Sequence, residues 1–223
     1  VIAATSLFDG HDAAINIFRR IIQGVGVEVI HLGHNRSVKE IVGAAVEEDV
    51  QAIAVSSYQG GHLEFFKYML DCLRKAAADH IKVFGGGGGV IVAEEIAELE
   101  NYGVTKIYTP QDGARMGLTG IVNHLVEKID HPISVSAKFD LKTLTVQNKA
   151  GLARLISLVE QYNQVEQRDQ NDQHLSNILK EARKKISGNT IPVVGLTGTG
   201  GSGKSSLADE LILRILHDFP DLT

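Results

Sequence analysis

Five short stretches of this 223-residue chain carry residue types and spacings that could do chemistry. Asp9-Gly10-His11-Asp12 puts a carboxylate two residues before an imidazole. A carboxylate that accepts from one ring nitrogen fixes the tautomer and leaves the other nitrogen free as a base or metal ligand. Those four residues also fit a plainer role, an aspartate capping the following helix beside an exposed histidine. Ser56-Ser57-Tyr58-Gln59-Gly60-Gly61-His62 offers two hydroxyls and two glycines that could line a ligand groove, and His62, at a helix start, fits a structural role more readily than one facing the ligand. Gly85 to Gly89 are five consecutive glycines, which let a backbone approach a bulky ligand closely. A flexible turn is the other reading, although a turn is served by one or two glycines. Tyr108-Thr109-Pro110 is the fourth stretch. The fifth, Gly198 to Ser205, fits G-x-x-x-x-G-K-[ST], the phosphate-cradling P-loop. Gly198, Gly201, Ser202, Gly203, Lys204, Ser205 and Ser206 are its candidate nucleotide contacts, with Lys204 on the β/γ-phosphates and Ser205 on Mg²⁺.

The periodicity says what must position these residues. Apolar runs at Val1–Thr5, Val27–Leu32, Ala52–Ser56, Ile81–Phe84 and Val104–Tyr108 read as strands. Each is followed by an amphipathic helical pattern, carried by Ala13/Ile17/Ile21/Ile22, Val38–Glu48, Leu63/Phe66/Leu70/Leu73, Val92–Leu99 and Met116–Ile129. Near-continuous apolar strands alternating with helices predict a parallel sheet covered on both faces, of flavodoxin-like size. The first four candidate stretches then all fall at the carboxyl ends of strands, where such folds bind ligands.

The expected organisation is a first domain over 1–130, a largely helical linker over 131–189, and the start of a P-loop domain over 190–223. Within the linker, His131 to Asn148 reads as a connector and Gly151 to Lys185 as helix. Gln161 to His174 has only Tyr162 and Val165 as apolar residues, which suits a solvated spacer. Ile191 to Leu196 reads as the strand that leads into the P-loop, and Leu207, Leu211 and Ile215 share a face of the helix after it.

Composition excludes several classes. A hydrophobic fraction of 43% with 22% charged residues is that of a folded globular chain. A net charge of −5 argues against a nucleic-acid-binding face. No apolar run approaches the length of a membrane span, and the opening VIAATSLF lacks the basic flank of a signal peptide, so a cytoplasmic location is expected. One cysteine, Cys72, excludes an internal disulfide and a thiolate metal cluster, and its helical stripe with Phe65, Met69 and Ala76 marks it as a packed thiol. His31-x-x-His34 lies where a strand gives way to a loop and is read as structural.

Together the first three stretches resemble the cobalamin-binding domain shared by B12-dependent mutases and methionine synthase. That family's pattern is D-x-H-x-x-G, 41 residues, S-x-L, 26–28 residues, G-G. Here Asp9-x-His11 is followed by Ala14 in place of the glycine; residues 15–55, 41 in number, lead to Ser56. Tyr58 replaces the leucine, and the 27 residues 59–85 lead to Gly86-Gly87. The resemblance implies His11 as the lower ligand of cobalt, replacing the cofactor's own dimethylbenzimidazole, with Asp9 as its partner. Ser56 and the glycines around Gly86 would line the slot for the displaced nucleotide tail. Gly10, Ser57, Tyr58, Gly87 and Tyr108 complete the candidate cofactor set, and a Cβ at Gly86 or Gly87 would intrude on the tail.

The segments SLFDGHDAAINI, VIHLGHNRSV, SSYQGGH and KVFGGGGGVIV, with a P-loop downstream, are similar to the amino-terminal portion of the fused isobutyryl-CoA mutase family. Members join a B12 domain, a G-protein chaperone domain and a TIM-barrel substrate domain. The resemblance implies an adenosylcobalamin-dependent radical interchange of isobutyryl-CoA and n-butyryl-CoA, with GTP and Mg²⁺ serving the G domain and a homodimer at full length. It implies that this chain is a fragment, without catalytic residues of its own, whose acyl-CoA substrate binds a barrel outside it. Other readings are a methylmalonyl-CoA-type mutase component, a non-catalytic cobalamin carrier or sensor, and a cobalamin-delivering NTPase.

Overall fold

The computed structural model describes residues 1–131, 144–145, 147–165, 173–186 and 193–220. Residues 1–171 make one compact unit and 172–223 a second. In the first unit, five strands alternate with helices: β1 (Ile2–Ser6), α1 (Ala13–Gly24), β2 (Ile30–Arg36), α2 (Val38–Glu47), β3 (Ala52–Ser56), α3 (His62–Lys75), β4 (Lys82–Gly86), α4 (Ala93–Tyr102), β5 (Lys106–Tyr108) and α5 (Pro110–Ile129), followed by α6 (Lys149–Val165). The strands form one parallel sheet in the order β2-β1-β3-β4-β5, which is the flavodoxin-like order.

The two-residue period of the strands divides the core into two layers, an upper core under α2, α3 and α4 and a lower core against α1 and α5. Ile2, Ala4, Ile53, Val55 and Val83 pack with Ile41, Phe66, Met69 and Leu99 beneath α2, α3 and α4. Ala3, Ala52, Ala54 and Phe84 face the other way, against Ile15 and Ile22 of α1 and Val122, Leu125 and Ile129 of α5. The residues on this second sheet face are small apart from Phe84 and Tyr108, and α1 and α5 leave open space above the strand ends.

Two elements depart most from the sequence reading. β2 runs to Arg36 and leaves Val27 and Val29 in a loop against the lower core, because an edge strand tolerates polar residues such as His34 and Asn35. α5 begins at Pro110, six residues before the expected start. Thr109 and Asp112 form a reciprocal capping box there, and Pro110 supplies the preset first helical residue. Gly117 then interrupts the helical backbone with φ 67°, which breaks the apolar period that periodicity alone can follow.

The stretch expected as linker begins outside the described residues at 132–143 and then forms α6, which belongs to the first unit and packs on α2. Buried Arg154 lies 2.8 Å from buried Asp49 and donates to His80 Nε2 at 2.8 Å. The expected spacer continues α6 through Val165, and residues 166–172 lie outside those described. The second unit contains α7 (Gln173–Ile186) and α8 (Lys204–Asp218). The strand expected at Ile191–Leu196 is not formed over Val193–Leu196, and residues 191–192 lie outside those described. A strand needs a ladder partner, and residues 193–220 supply none. Among the described residues no helix is long and apolar enough to cross a membrane.

Candidate functional site

In an open parallel sheet, loops diverge at the carboxyl edge where the strand order reverses. Here that point lies between β1 and its neighbour β3, and the loop after each carries one of the singled-out stretches. Asp9 sits fully buried in the β1 loop. Its Oδ1 accepts from the His11 backbone N–H at 2.9 Å and lies 2.8 Å from His11 Nδ1. Its Oδ2 accepts from the Tyr58 N–H of the β3 loop at 2.5 Å. An ionised carboxylate only accepts, so Nδ1 carries the proton and the Nε2 lone pair is free. The His11 side chain is 69% exposed, and among the described residues Nε2 has no protein partner. The helix-cap reading of Asp9 does not hold: Asp12 occupies the N-cap position of α1, with no side-chain bond.

Burial pushes the Asp9 carboxyl upward, but the N–H groups of Tyr58 and His11 and the His11 ring outweigh it and hold it below the ordinary carboxylate value. With its native value depressed, Asp9 stabilises the fold fully above its unfolded value. That contribution is lost as pH falls through the native value. Asp9→Asn keeps the shape and removes the charge, so its acid unfolding transition should move towards that of a chain without this linkage. On the cobalt-ligand role that the resemblance implies for His11, cobalamin affinity, measured by titration, should fall about 10–100-fold. Unchanged affinity would mean that Asp9 does not act through His11.

Beside this pair an apolar cleft of about 220 Å³ opens between α1, α5 and the ends of β3, β4 and β5. Ser56, Tyr58, Gly86, Gly87 and Tyr108 of the candidate set all line it. The Tyr58 ring lies 5.5 Å from the His11 ring, so one residue borders both the imidazole and the cleft. Tyr108 stacks on Phe84 at 6.2 Å, and its hydroxyl meets His124 Nδ1 at 2.8 Å. Burial first, and Asp112 second, raise the Tyr108 phenol well above its ordinary value, so it stays neutral.

The glycines divide by strand period. A Cβ on Gly85 would lie 2.6 Å from both Phe66 and Ile107, in the upper core. Gly86 shares the Phe84 face and lines the cleft, and a Cβ there would meet only Tyr108 O at 3.7 Å. A Cβ on Gly87 would come within 2.3 Å of the Ser57 carbonyl, and one on Gly88 within 2.2 Å of the Tyr58 ring. Part of the run therefore serves close protein packing, and Gly86 is the position with room on the cleft side.

Not every candidate converges on the cleft. Ser57 is buried away from its walls, with its hydroxyl 2.9 Å from Ser6 Oγ and its N–H donating to Gly86 O at 2.8 Å. Gly10 is in the His11 loop, where its carbonyl accepts from Asp12 N–H. His62 is buried at the start of α3, with Nε2 2.9 Å from Glu95 and Nδ1 3.3 Å from the Gln59 carbonyl, so it does not face the ligand groove. Cys72 packs against the upper core. Sequence reasoning missed Phe18 and Ile22 on α1 and Leu118, Ile121, Val122 and Leu125 on α5, which also line the cleft. They carry the same apolar period as core residues, and no sequence signal separates a cleft wall from a packed core.

In the second unit, Gly201 and Gly203 adopt φ 76° and 79°, and Gly203 caps α8. Lys204 Nζ donates to Thr199 O at 2.6 Å. α8 buries none of its residues, and Leu207, Leu211 and Ile215 are all exposed.

Comparison with known proteins agrees with this geometry. The chain is 52% identical over 221 residues to the fused isobutyryl-CoA mutase of Geobacillus kaustophilus, covering 99% of this chain and 20% of that protein. The corresponding protein of Cupriavidus metallidurans is 52% identical over 220 residues, covering 99% and 19%. This chain thus spans about a fifth of the length of these relatives. The 2-hydroxyisobutanoyl-CoA mutase small subunit of Aquincola tertiaricarbonis is 31% identical over 107 residues, which cover 48% of this chain and 77% of the subunit. The family model for the B12 binding domain matches residues 1–118, the part that holds the sheet, the Asp9–His11 pair and the strand-end wall of the cleft, and the chain therefore belongs to the B12-binding domain family.

Proposed function

We propose that residues 1–130 bind cobalamin with its own base displaced, His11 Nε2 serving as the protein ligand to cobalt and the cleft taking the nucleotide tail. The observation that carries this reading is the buried Asp9 carboxylate, which fixes the His11 tautomer and frees Nε2 beside an apolar, glycine-walled slot. The residues fit the group: a neutral imidazole nitrogen suits a transition metal, and a cleft without charged walls suits a flat, apolar heterocycle. Ser56, Tyr58, Gly86, Gly87 and Tyr108 would line the tail slot; Gly10 would keep the His11 loop close to the corrin. Bound adenosylcobalamin supplies the radical chemistry, while these side chains orient it and exclude water. The electron paramagnetic resonance spectrum of cob(II)alamin on this chain tests the reading. Coupling to one protein nitrogen is expected, and coupling to the cofactor's own base would overturn it.

We propose further that the chain is the cofactor-carrying part of an acyl-CoA mutase that interconverts isobutyryl-CoA and n-butyryl-CoA. The near-complete coverage of this chain at 52% identity supports this reading. The acyl-CoA would bind a barrel domain outside these residues, and a cytoplasmic homodimer is the expected assembly of the whole protein. Residues 131–189 would link to a G-protein domain beginning at 190, in which Gly198, Gly201, Ser202, Gly203, Lys204, Ser205 and Ser206 hold GTP and Ser205 ligates Mg²⁺.

Among the described residues, however, Lys204 Nζ donates to Thr199 O and α8 buries none of its side chains. A short helix depends on packing its apolar face. The chain should therefore bind cobalamin but take up no GTP analogue with Mg²⁺ at micromolar concentration in titration calorimetry. Micromolar binding that disappears in Lys204→Ala would refute this.

A further inference from the structure

β2 carries two irregularities opposite β1. Ala3 and Ala4 pair with His31 and Gly33, and Ala4 and Ser6 with Gly33 and Arg36, so each step inserts one extra residue into β2. Bulges of this kind re-aim side chains next to functional sites. The left-handed conformation falls on Gly33, at φ 86°, and on Asn35, at φ 57°. Asparagine tolerates that region better than most residues. The second bulge brings Asn35 over the β1 loop, where its Oδ1 accepts from the Phe8 N–H at 2.7 Å and its own N–H donates to the Asp9 carbonyl at 3.3 Å.

Phe8 itself sits at φ 64°, an outlier for a bulky residue, and its side chain is largely exposed. Nothing in its own packing accounts for that backbone, which persists only if neighbours impose it. Relaxation of Phe8 to negative φ would swing the next residue, Asp9, and with it the imidazole two residues on. Because β1 lies between β2 and β3, its loop is gripped from both sides. Tyr58 holds the Asp9 carboxylate from the β3 side, and Asn35 holds the Phe8–Asp9 backbone from the β2 side.

We propose that Asn35 is a positioning residue for the Asp9–His11 pair, acting through the strained backbone of Phe8. This inference rests on His11 being the cobalt ligand, and its test keeps the two apart. Asn35→Gly retains left-handed freedom and removes the side-chain acceptor; Asn35→Asp retains both. The readouts are cobalamin affinity and the share of the cob(II)alamin signal that couples to protein nitrogen, with circular dichroism to check the fold. Asn35→Gly should lower affinity about 10–100-fold and reduce the coupled share, while Asn35→Asp restores both. If the glycine loosens the fold, Asn35→Ser, whose shorter side chain does not span the contact, serves in its place with the same expected losses. Wild-type affinity and full coupling in Asn35→Gly would overturn the inference, as would an Asn35→Asp chain as impaired as the glycine variant. A wild-type chain without nitrogen coupling would overturn the ligand assignment, and this inference with it.

Discussion

Cob(II)alamin bound to the His11→Ala chain will show no coupling to a protein imidazole, and its affinity will fall by more than the 10–100-fold typical of losing a ligand's hydrogen-bond partner. The reason is that among the described residues Asp9 holds no imidazole but that of His11, and no histidine lines the cleft. Both His62 nitrogens face protein acceptors, Glu95 and the Gln59 carbonyl, and His124 Nδ1 is engaged by the Tyr108 hydroxyl. Asp9 would be left buried with one bond fewer but still held by Tyr58 N–H, so the fold should survive and the loss can be read as ligation. Imidazole coupling that persists in His11→Ala would show that another residue holds the cobalt.

The glycine run gives the second large effect, and the structure makes it a contrast within one strand end. Gly86→Val should leave the circular-dichroism spectrum native, since its Cβ meets nothing closer than 3.7 Å. The branched side chain would project into the cleft, and cobalamin affinity should fall about 100-fold, roughly 2.8 kcal/mol. Gly87→Val should instead damage the fold, because its Cβ would lie 2.3 Å from a backbone carbonyl that cannot step aside. Forcing extra atoms into a packed site costs about 1–3 kcal/mol, visible as a lower urea midpoint, and a backbone clash belongs at the upper end of that range. Gly87 is therefore not the clean probe of the tail slot that its place in the sequence suggests. Equal affinity in wild type and Gly86→Val, with a native spectrum in both, would show that the tail does not use this wall.

The α/β alternation, the parallel sheet and the placement of the Asp9–His11, Ser56–Tyr58 and Gly86–Gly87 stretches on strand-end loops were all legible in the sequence. Buried parallel strands and amphipathic helices have distinct periods, and the elements follow one another closely in the chain. Left undecided was which of two roles Asp9 plays, because capping a helix and orienting a histidine need the same residue types at the same spacing. The folded loop decided it, with Asp12 at the N-cap and Asp9 on His11 Nδ1, and the loop after β3, 49 residues away in sequence, fixes that carboxylate by delivering the Tyr58 N–H to its second oxygen. The same holds for the cleft: Phe18, Leu118 and Val122 read as core until the fold leaves open space between α1, α5 and the strand ends. It holds again for Asn35, whose contact with the His11 loop exists because two bulges shift β2 along β1. Local chemistry and periodicity act between near neighbours in the chain and are written there; strand order, register and the gap between layers arise from packing distant segments together.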